Sequence, residues 1–112
     1  MKKLILASAA FMVLVGIAFA APKDATFAGE ISDSMCAQMG AHVGMHGAQR
    51  CTVGCVKQLG ASYVLYDEAT KTIYQLDDQK KPEAFAGQKV TVTGTLDKAT
   101  KTIHVTGIRA AA

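Results

Sequence analysis

The stretch "KVTVTGTLDKATKTIHVT", residues 89–106, decides the fold, because it contains two strand-like runs joined by a polar turn. Across residues 89–96, valine and leucine alternate with lysine and threonine, which predicts a strand with one buried face. Residues 102–106 are rich in β-branched side chains and predict its partner. Between them, residues 97–101 are predicted to form a five-residue hairpin turn.

An internal repeat predicts a second hairpin of the same kind. "DEATKTIY" at residues 67–74 matches "DKATKTIH" at residues 97–104 in six of eight positions. The first copy lies between strand-like runs at residues 62–66 and 72–76. Turn residues that bond to their own backbone explain the repeat, and a duplicated binding loop is the alternative.

The rest of the chain supplies one more strand and a short helix. Residues 27–33 alternate in the manner of a first strand. Pro82 and Gly87 predict a single-turn helix between the third and fourth strands. This order predicts a mainly β fold: a five-stranded OB-like barrel, with a Cys/His helical insert between strands 1 and 2. A five-stranded meander or an open sandwich is the alternative.

The N-terminus has the pattern of a signal peptide over residues 1–20. Two lysines precede an apolar run at residues 4–19, and Ala-Phe-Ala at residues 18–20 is a small-x-small cleavage site. A membrane anchor is the alternative, although the run is short for a span. Cleavage would leave residues 21–112 as a single OB-like domain in the periplasm or secreted.

The net charge excludes two classes of partner. The twelve lysines and arginines oppose nine acidic residues, and the predicted signal peptide carries two of the lysines, so the mature charge is near +1. A near-neutral exported domain has no basic surface for nucleic acid, and after cleavage no membrane attachment is expected. A small-molecule or protein partner remains open.

The segment "MCAQMGAHVGMHGAQRCTVGC", residues 35–55, concentrates the soft ligands of the chain. It holds all three cysteines, two of the three histidines and three of the five methionines. A short helix is predicted over residues 35–39, capped by the preceding Asp-Ser pair, and a longer helix over residues 48–59. Cys51 and Cys55 lie one turn apart on it, and we expect them on its apolar face, pointing at the protein.

Two chemistries explain this concentration. In the first, Cys36, His42, Cys51 and Cys55 hold a metal ion, with His46 as an alternate ligand. Three thiolates and one imidazole form a tetrahedral zinc set, and thiolates also suit copper(I). The ion would be structural or transported. The methionines would favour copper(I) if they converged, but packing is their expected role.

In the second chemistry, Cys36 forms a disulfide with Cys51 or Cys55 and leaves the third cysteine free. A thiol redox enzyme, with a thiolate activated by His42 or His46, is a further alternative. It is disfavoured because the chain has no Cys-x-x-Cys motif, and the lack of Cys-x-x-Cys-His argues against haem. We therefore expect a non-enzymatic binding module, with zinc or copper(I) as its only cofactor.

The segments "GEISDSMC", "CTVGCV", "SYVLY" and "FAGQKVTVTGTL" resemble a family of small exported bacterial proteins of uncharacterised function. Its pattern is Asp-Ser-x-Cys, a histidine and Cys-x3-Cys, followed by an OB-like β-domain, and the resemblance covers residues 29–108. Ala37 departs from it, since glycine commonly follows the first cysteine. The resemblance implies a site and a fold but no agreed activity; the implied positions are Asp33, Ser34, Cys36, His42, Cys51 and Cys55.

Overall fold

The structure, a computed structural model, describes residues 24–41 and 47–111, together with Gly16. The described part contains one α-helix, α1 (Ala48–Leu59), and two 3-10 helices, Cys36–Met39 and Lys81–Phe85. Five strands complete it. They are β1 (Ala25–Asp33), β2 (Tyr63–Asp67), β3 (Thr72–Leu76), β4 (Lys89–Asp97) and β5 (Thr102–Ala110).

The predicted signal peptide lies outside the described residues except for Gly16, so residues 1–20 remain a sequence prediction. Within the described ranges, none of the helices has the length and apolar character that crossing a bilayer requires.

The five strands form one sheet that closes in a ring, in the order β1-β2-β3-β5-β4. Neighbouring strands are antiparallel except β3 and β5, which pair in parallel. The prediction of a mainly β fold with five strands is confirmed. So are the helical insert between β1 and β2 and the short helix between β3 and β4.

Both repeats form hairpin turns with the same local bonds. The Oδ1 atoms of Asp67 and Asp97 accept the backbone N–H two residues ahead, each at 3.0 Å. The turns have four residues rather than the predicted five, because both aspartates still pair across the hairpin with Thr72 and Thr102. Shared turn chemistry therefore accounts for the repeat.

The core fills the inside of the ring. The predicted alternation of β4 is confirmed, since Val90 and Val92 are fully buried and the threonines between them face outward. A β-bulge in β5 lets its apolar side chains face the core on both sides of the bulge. Thr93 pairs with Gly107 and Gly94 with Val105, which leaves Thr106 as the extra residue. The buried cluster consists of Ile31, Tyr63, Leu65, Leu76, Ala86, Val90, Val92 and Ile103.

Helix α1 closes one opening of the ring. Its Val53 and Val56 pack against the buried cluster, as does Phe85 of the second 3-10 helix. Gly87 permits this docking, because a Cβ there would lie 2.5 Å from the backbone nitrogen of Gln49, and its φ of +74° favours glycine. The start of α1 therefore lies directly against the segment that joins the 3-10 helix to β4.

The expected orientation of the helical cysteines is wrong. Cys51 is exposed and Cys55 only partly buried, whereas Thr52 between them is fully buried. A helix turns by about 100° per residue, so Cys51 and Cys55 fall beside the buried strip of Thr52, Val53 and Val56 instead of within it. The two cysteines consequently face the segment after β1, which lies at the side of the helix.

Candidate metal centre

Cys36 is positioned by the end of β1. The Oδ1 atom of Asp33, the last residue of the strand, accepts the N–H groups of Met35 at 3.1 Å and Cys36 at 2.8 Å. The 3-10 helix that follows ends at Gly40, whose φ is +92°. The N-cap position is Met35, which makes no side-chain cap bond, so the predicted cap at Asp33 or Ser34 is wrong in position; Asp33 nevertheless accepts the first N–H groups of the helix, while Ser34 bonds elsewhere.

Ser34 ties the insert to the start of β2. Its N–H donates to the Ser62 carbonyl at 2.8 Å, and its hydroxyl accepts the Ser62 N–H at 3.1 Å. The insert therefore leaves and re-enters the sheet at one point. These two bonds between Ser34 and Ser62 keep Cys36 close to α1.

The three cysteine sulfurs converge. The Sγ atoms of Cys36, Cys51 and Cys55 all lie within 4.8 Å of one another, and all three side chains are free thiols. In a tetrahedral zinc site, zinc–sulfur bonds of about 2.3 Å place the sulfurs roughly 4 Å apart. The sulfur separations therefore exceed that spacing by less than about 1 Å, which is compatible with a shared ion.

The two histidines of the predicted ligand set, His42 and His46, lie outside the described residues, as does Met45. Met35 and Met39 do not pack in the core, because 48% and 80% of these residues are exposed. Their expected packing role is therefore wrong. Both flank Cys36 on the surface of the insert.

Burial raises the pKa of the Cys36 thiol to about 12, with further increases from its hydrogen bond to Asp33 and from that carboxylate's charge. Burial also raises the pKa of the Cys55 thiol, and the charge of Asp33 adds to the increase. Without a cation, both sulfurs therefore keep their protons at neutral pH. A bound metal ion would have to displace these protons.

Asp33 is a residue of the cluster that the sequence marked in two ways, as a helix cap and as one of the positions implied by the family resemblance. The residue is fully buried, and its Oδ2 atom has no hydrogen-bond partner in the described part of the chain. The sequence signal was an aspartate at the end of a strand, within the Asp-Ser-x-Cys pattern that the family resemblance implied. That signal does not reveal burial.

A groove of about 260 Å³ lies elsewhere, between the end of β2 and the start of β4. None of the three cysteines lines it. Its wall includes Gly29, Glu30, Tyr66 and Lys89. Tyr66 and Tyr63 are both buried, so neither presents a free ring for stacking on a ligand.

Comparison with known proteins identifies a family for the chain but does not extend to Cys36 and Cys51. Neither the curated proteins nor the solved structures contained a match to this chain. One family model matches residues 53–111, which include Cys55 and β2 to β5 but exclude Cys36 and Cys51. Because this match covers more than half of the sequence, the chain belongs to the family described as "Protein of unknown function (DUF5818)".

Proposed function

We propose that this protein is a non-enzymatic metal-binding module that holds one zinc or copper(I) ion between Cys36, Cys51 and Cys55. The observation that carries the proposal is the convergence of three free sulfurs within 4.8 Å. A disulfide uses two sulfurs and leaves the third without a role, whereas a thiophilic cation uses all three. Either His42 or His46 is the proposed fourth ligand.

The exposure of the cluster supports an exchangeable ion. Cys51 is exposed, while Cys36 and Cys55 are partly buried, so one side of the centre opens to solvent. An exposed sulfur gives an exchange partner direct access to the ion, whereas structural zinc sites are closed to solvent. We therefore favour an ion that is transported or sensed over one with a purely structural role.

The scaffold we propose is OB-like. The ring order and the 3-10 helix between β3 and β4 support this interpretation. The cluster then lies in the connection between the first two strands, where OB-folds commonly place ligand contacts. The signal-peptide pattern supports a location in the periplasm or outside the cell, where an exposed metal-thiolate centre would meet exported partners.

A thiol redox enzyme is less well supported. Reactive cysteines have lowered thiol pKa values, which populate the nucleophilic thiolate at neutral pH. Here burial and Asp33 act in the opposite direction, since the pKa values of Cys36 and Cys55 are both raised. The disulfide alternative shares the short sulfur separations, so the experiment has to separate it from metal binding.

Mass spectrometry of the purified protein, first native and then denatured, makes this separation. With added zinc or copper(I), we expect one bound ion per chain in the native spectrum and three free thiols after denaturation. Cys36→Ser, Cys51→Ser and Cys55→Ser should each lose the ion. His104→Ala is the control, because His104 lies in β5, outside the insert, and its ring contacts Asp77 instead.

The contradicting result is equally direct. A native mass without an ion, together with a denatured mass lower by two hydrogens, would identify a disulfide. In that case the cysteines would form a structural cross-link between the segment after β1 and α1, and the metal proposal would be wrong.

A further inference from the structure

Asp33 is the one buried carboxylate beside the thiol cluster, and its bonding is incomplete. No part of the residue is exposed. Its Oδ1 atom is used twice, by the N–H groups of Met35 and Cys36. Its Oδ2 atom is buried and has no hydrogen-bond partner within residues 24–41 and 47–111, and no lysine, arginine or histidine of those ranges forms an ion pair with it.

The carboxylate acts on two of the three sulfurs. Its Oδ1 atom accepts the backbone N–H of Cys36 at 2.8 Å, and its charge adds to the effect of burial, which raises the pKa of the Cys36 and Cys55 thiols. It is nevertheless not part of the group of ligand atoms within 4.8 Å, which contains only the three sulfurs. Asp33 therefore supplies no ligand atom to this group, and it acts on a bound ion through its charge and through Cys36.

We propose that Asp33 makes the thiol centre selective for a divalent cation, zinc, over monovalent copper(I). The inference rests on the proposed function, and it names the class of ion that this site takes. Three thiolates and one carboxylate place four negative charges in a partly buried site. Zinc reduces that total to two, and copper(I) only to three.

Coulomb attraction scales with the charge of the ion, so a nearby carboxylate attracts Zn²⁺ twice as strongly as Cu⁺ at the same distance. Burial increases the difference, because the local dielectric is lower than in water. The thiolates alone suit both ions. The thiolate charges favour Zn²⁺ by the same rule, and Asp33 adds to this preference without supplying a ligand atom.

Asp33→Asn tests the proposal, because it removes the charge and keeps an oxygen that can accept the N–H groups of Met35 and Cys36. Zinc and copper(I) affinities are measured by competition with chromophoric chelators, in reduced and oxygen-free solution. We expect zinc affinity to fall by about 10–100-fold, the range for residues that support metal ligands, and copper(I) affinity by only about 3–10-fold, because the electrostatic free energy is half as large. Asp97→Asn is the matched control, since Asp97 makes the same kind of turn bond while exposed, and it should change neither.

Asp33→Ser is the second variant, in case the amide disturbs the fold. Its hydroxyl can also accept a backbone N–H and carries no charge, and circular dichroism checks that each variant is folded. Equal losses of both ions would overturn the inference, because Asp33 would then only position Cys36. An unchanged zinc affinity would also overturn it. If the unsubstituted protein binds neither ion, the proposed function itself is wrong.

Discussion

The insert between β1 and β2 and the two hairpin turns begin with the same local device. At the end of each strand, an aspartate accepts the N–H two residues ahead; the three residues are Asp33, Asp67 and Asp97. In the turns, the second carboxylate oxygen remains accessible to water. In the insert, that oxygen is buried beside three thiols. The turn bond is therefore common to both regions, and burial makes the difference between a connection and a candidate site.

This contrast separates what holds the fold from what performs a function. The hairpins are complete without a ligand, since their polar side chains bond locally or reach solvent. The insert gathers three thiols and a buried carboxylate, which together offer a binding site to a cation. We therefore expect zinc to stabilise the folded protein through the insert, and we expect the contribution of the core of the ring to be the same with and without metal.

The largest expected effect comes from Leu65→Ala in the core of the ring. Leu65 is fully buried, so its truncation should lower the free energy of unfolding by about 2–5 kcal/mol. The loss should be the same with and without zinc. Leu59→Ala is the matched control, because 64% of Leu59 is exposed and its truncation should cost much less. Urea unfolding measures both, and a similar loss for the two leucines would refute the assignment of the core.

Zinc should stabilise the reduced protein by a smaller amount. An ion that binds only the folded state adds about 2.7 kcal/mol at a free concentration 100 times its Kd. Cys36→Ser should abolish this gain, because it removes one of the three sulfurs. Thr100→Ala in the second hairpin turn should retain it. Thermal unfolding with and without zinc measures the gain, and an unchanged gain in Cys36→Ser would contradict a role for this sulfur.

The sequence predicted the regular parts of the molecule well, because their signals are local. Alternation defined β4, and the glycines after each helix marked its end, so α1 spans the predicted residues 48–59. The direction of Cys51 was not predictable in this way. It depends on how α1 docks, which is determined by the close approach of Gly87 to Gln49 across the fold.

The candidate site, like the fold, was predictable only in part from the sequence. The spacing of Cys51 and Cys55 indicated that they lie together, and the odd cysteine count pointed to a role for Cys36. The burial of Asp33 could not be inferred, because the same aspartate signal begins two exposed turns. Only the fold distinguishes these positions.

A third prediction concerns strain in the hairpin turns. Lys101 has a φ of +52°, a conformation that costs a non-glycine residue about 1–2 kcal/mol. Lys101→Gly should therefore stabilise the protein, by about 0.5–1 kcal/mol after the greater flexibility of glycine in the unfolded chain is included. Lys98→Gly in the same turn should give no gain, since Lys98 is not among the described residues with positive φ. Urea unfolding compares the two, and a loss in Lys101→Gly would show that its side chain stabilises the turn.

The smallest expected effect concerns Asp77, a carboxylate at the end of β3 whose two oxygens both have partners, in contrast to Asp33. Its Oδ1 accepts the Val105 N–H at 2.9 Å, and its Oδ2 lies 3.2 Å from Nδ1 of His104. The bond from Val105 is the main cause that lowers the pKa of Asp77 below 3.8, and the contact with His104 adds to it. A lowered pKa in the folded state stabilises the protein above pH 3.8, and this contribution is lost as the pH falls through the folded value.

Because 43% of the Asp77 side chain is exposed, solvent reduces the contribution to about 0.5 kcal/mol. Asp77→Asn should therefore be slightly less stable than the unsubstituted protein at pH 6, and the difference should shrink below pH 3.8. Most of it should persist in 1 M KCl, since a bond from a backbone N–H is screened less than an ion pair. Urea unfolding across this pH range measures the difference. If salt removes it completely, the contact with His104 stabilises the protein more than the bond from Val105 does, and the ranking of the two partners is reversed.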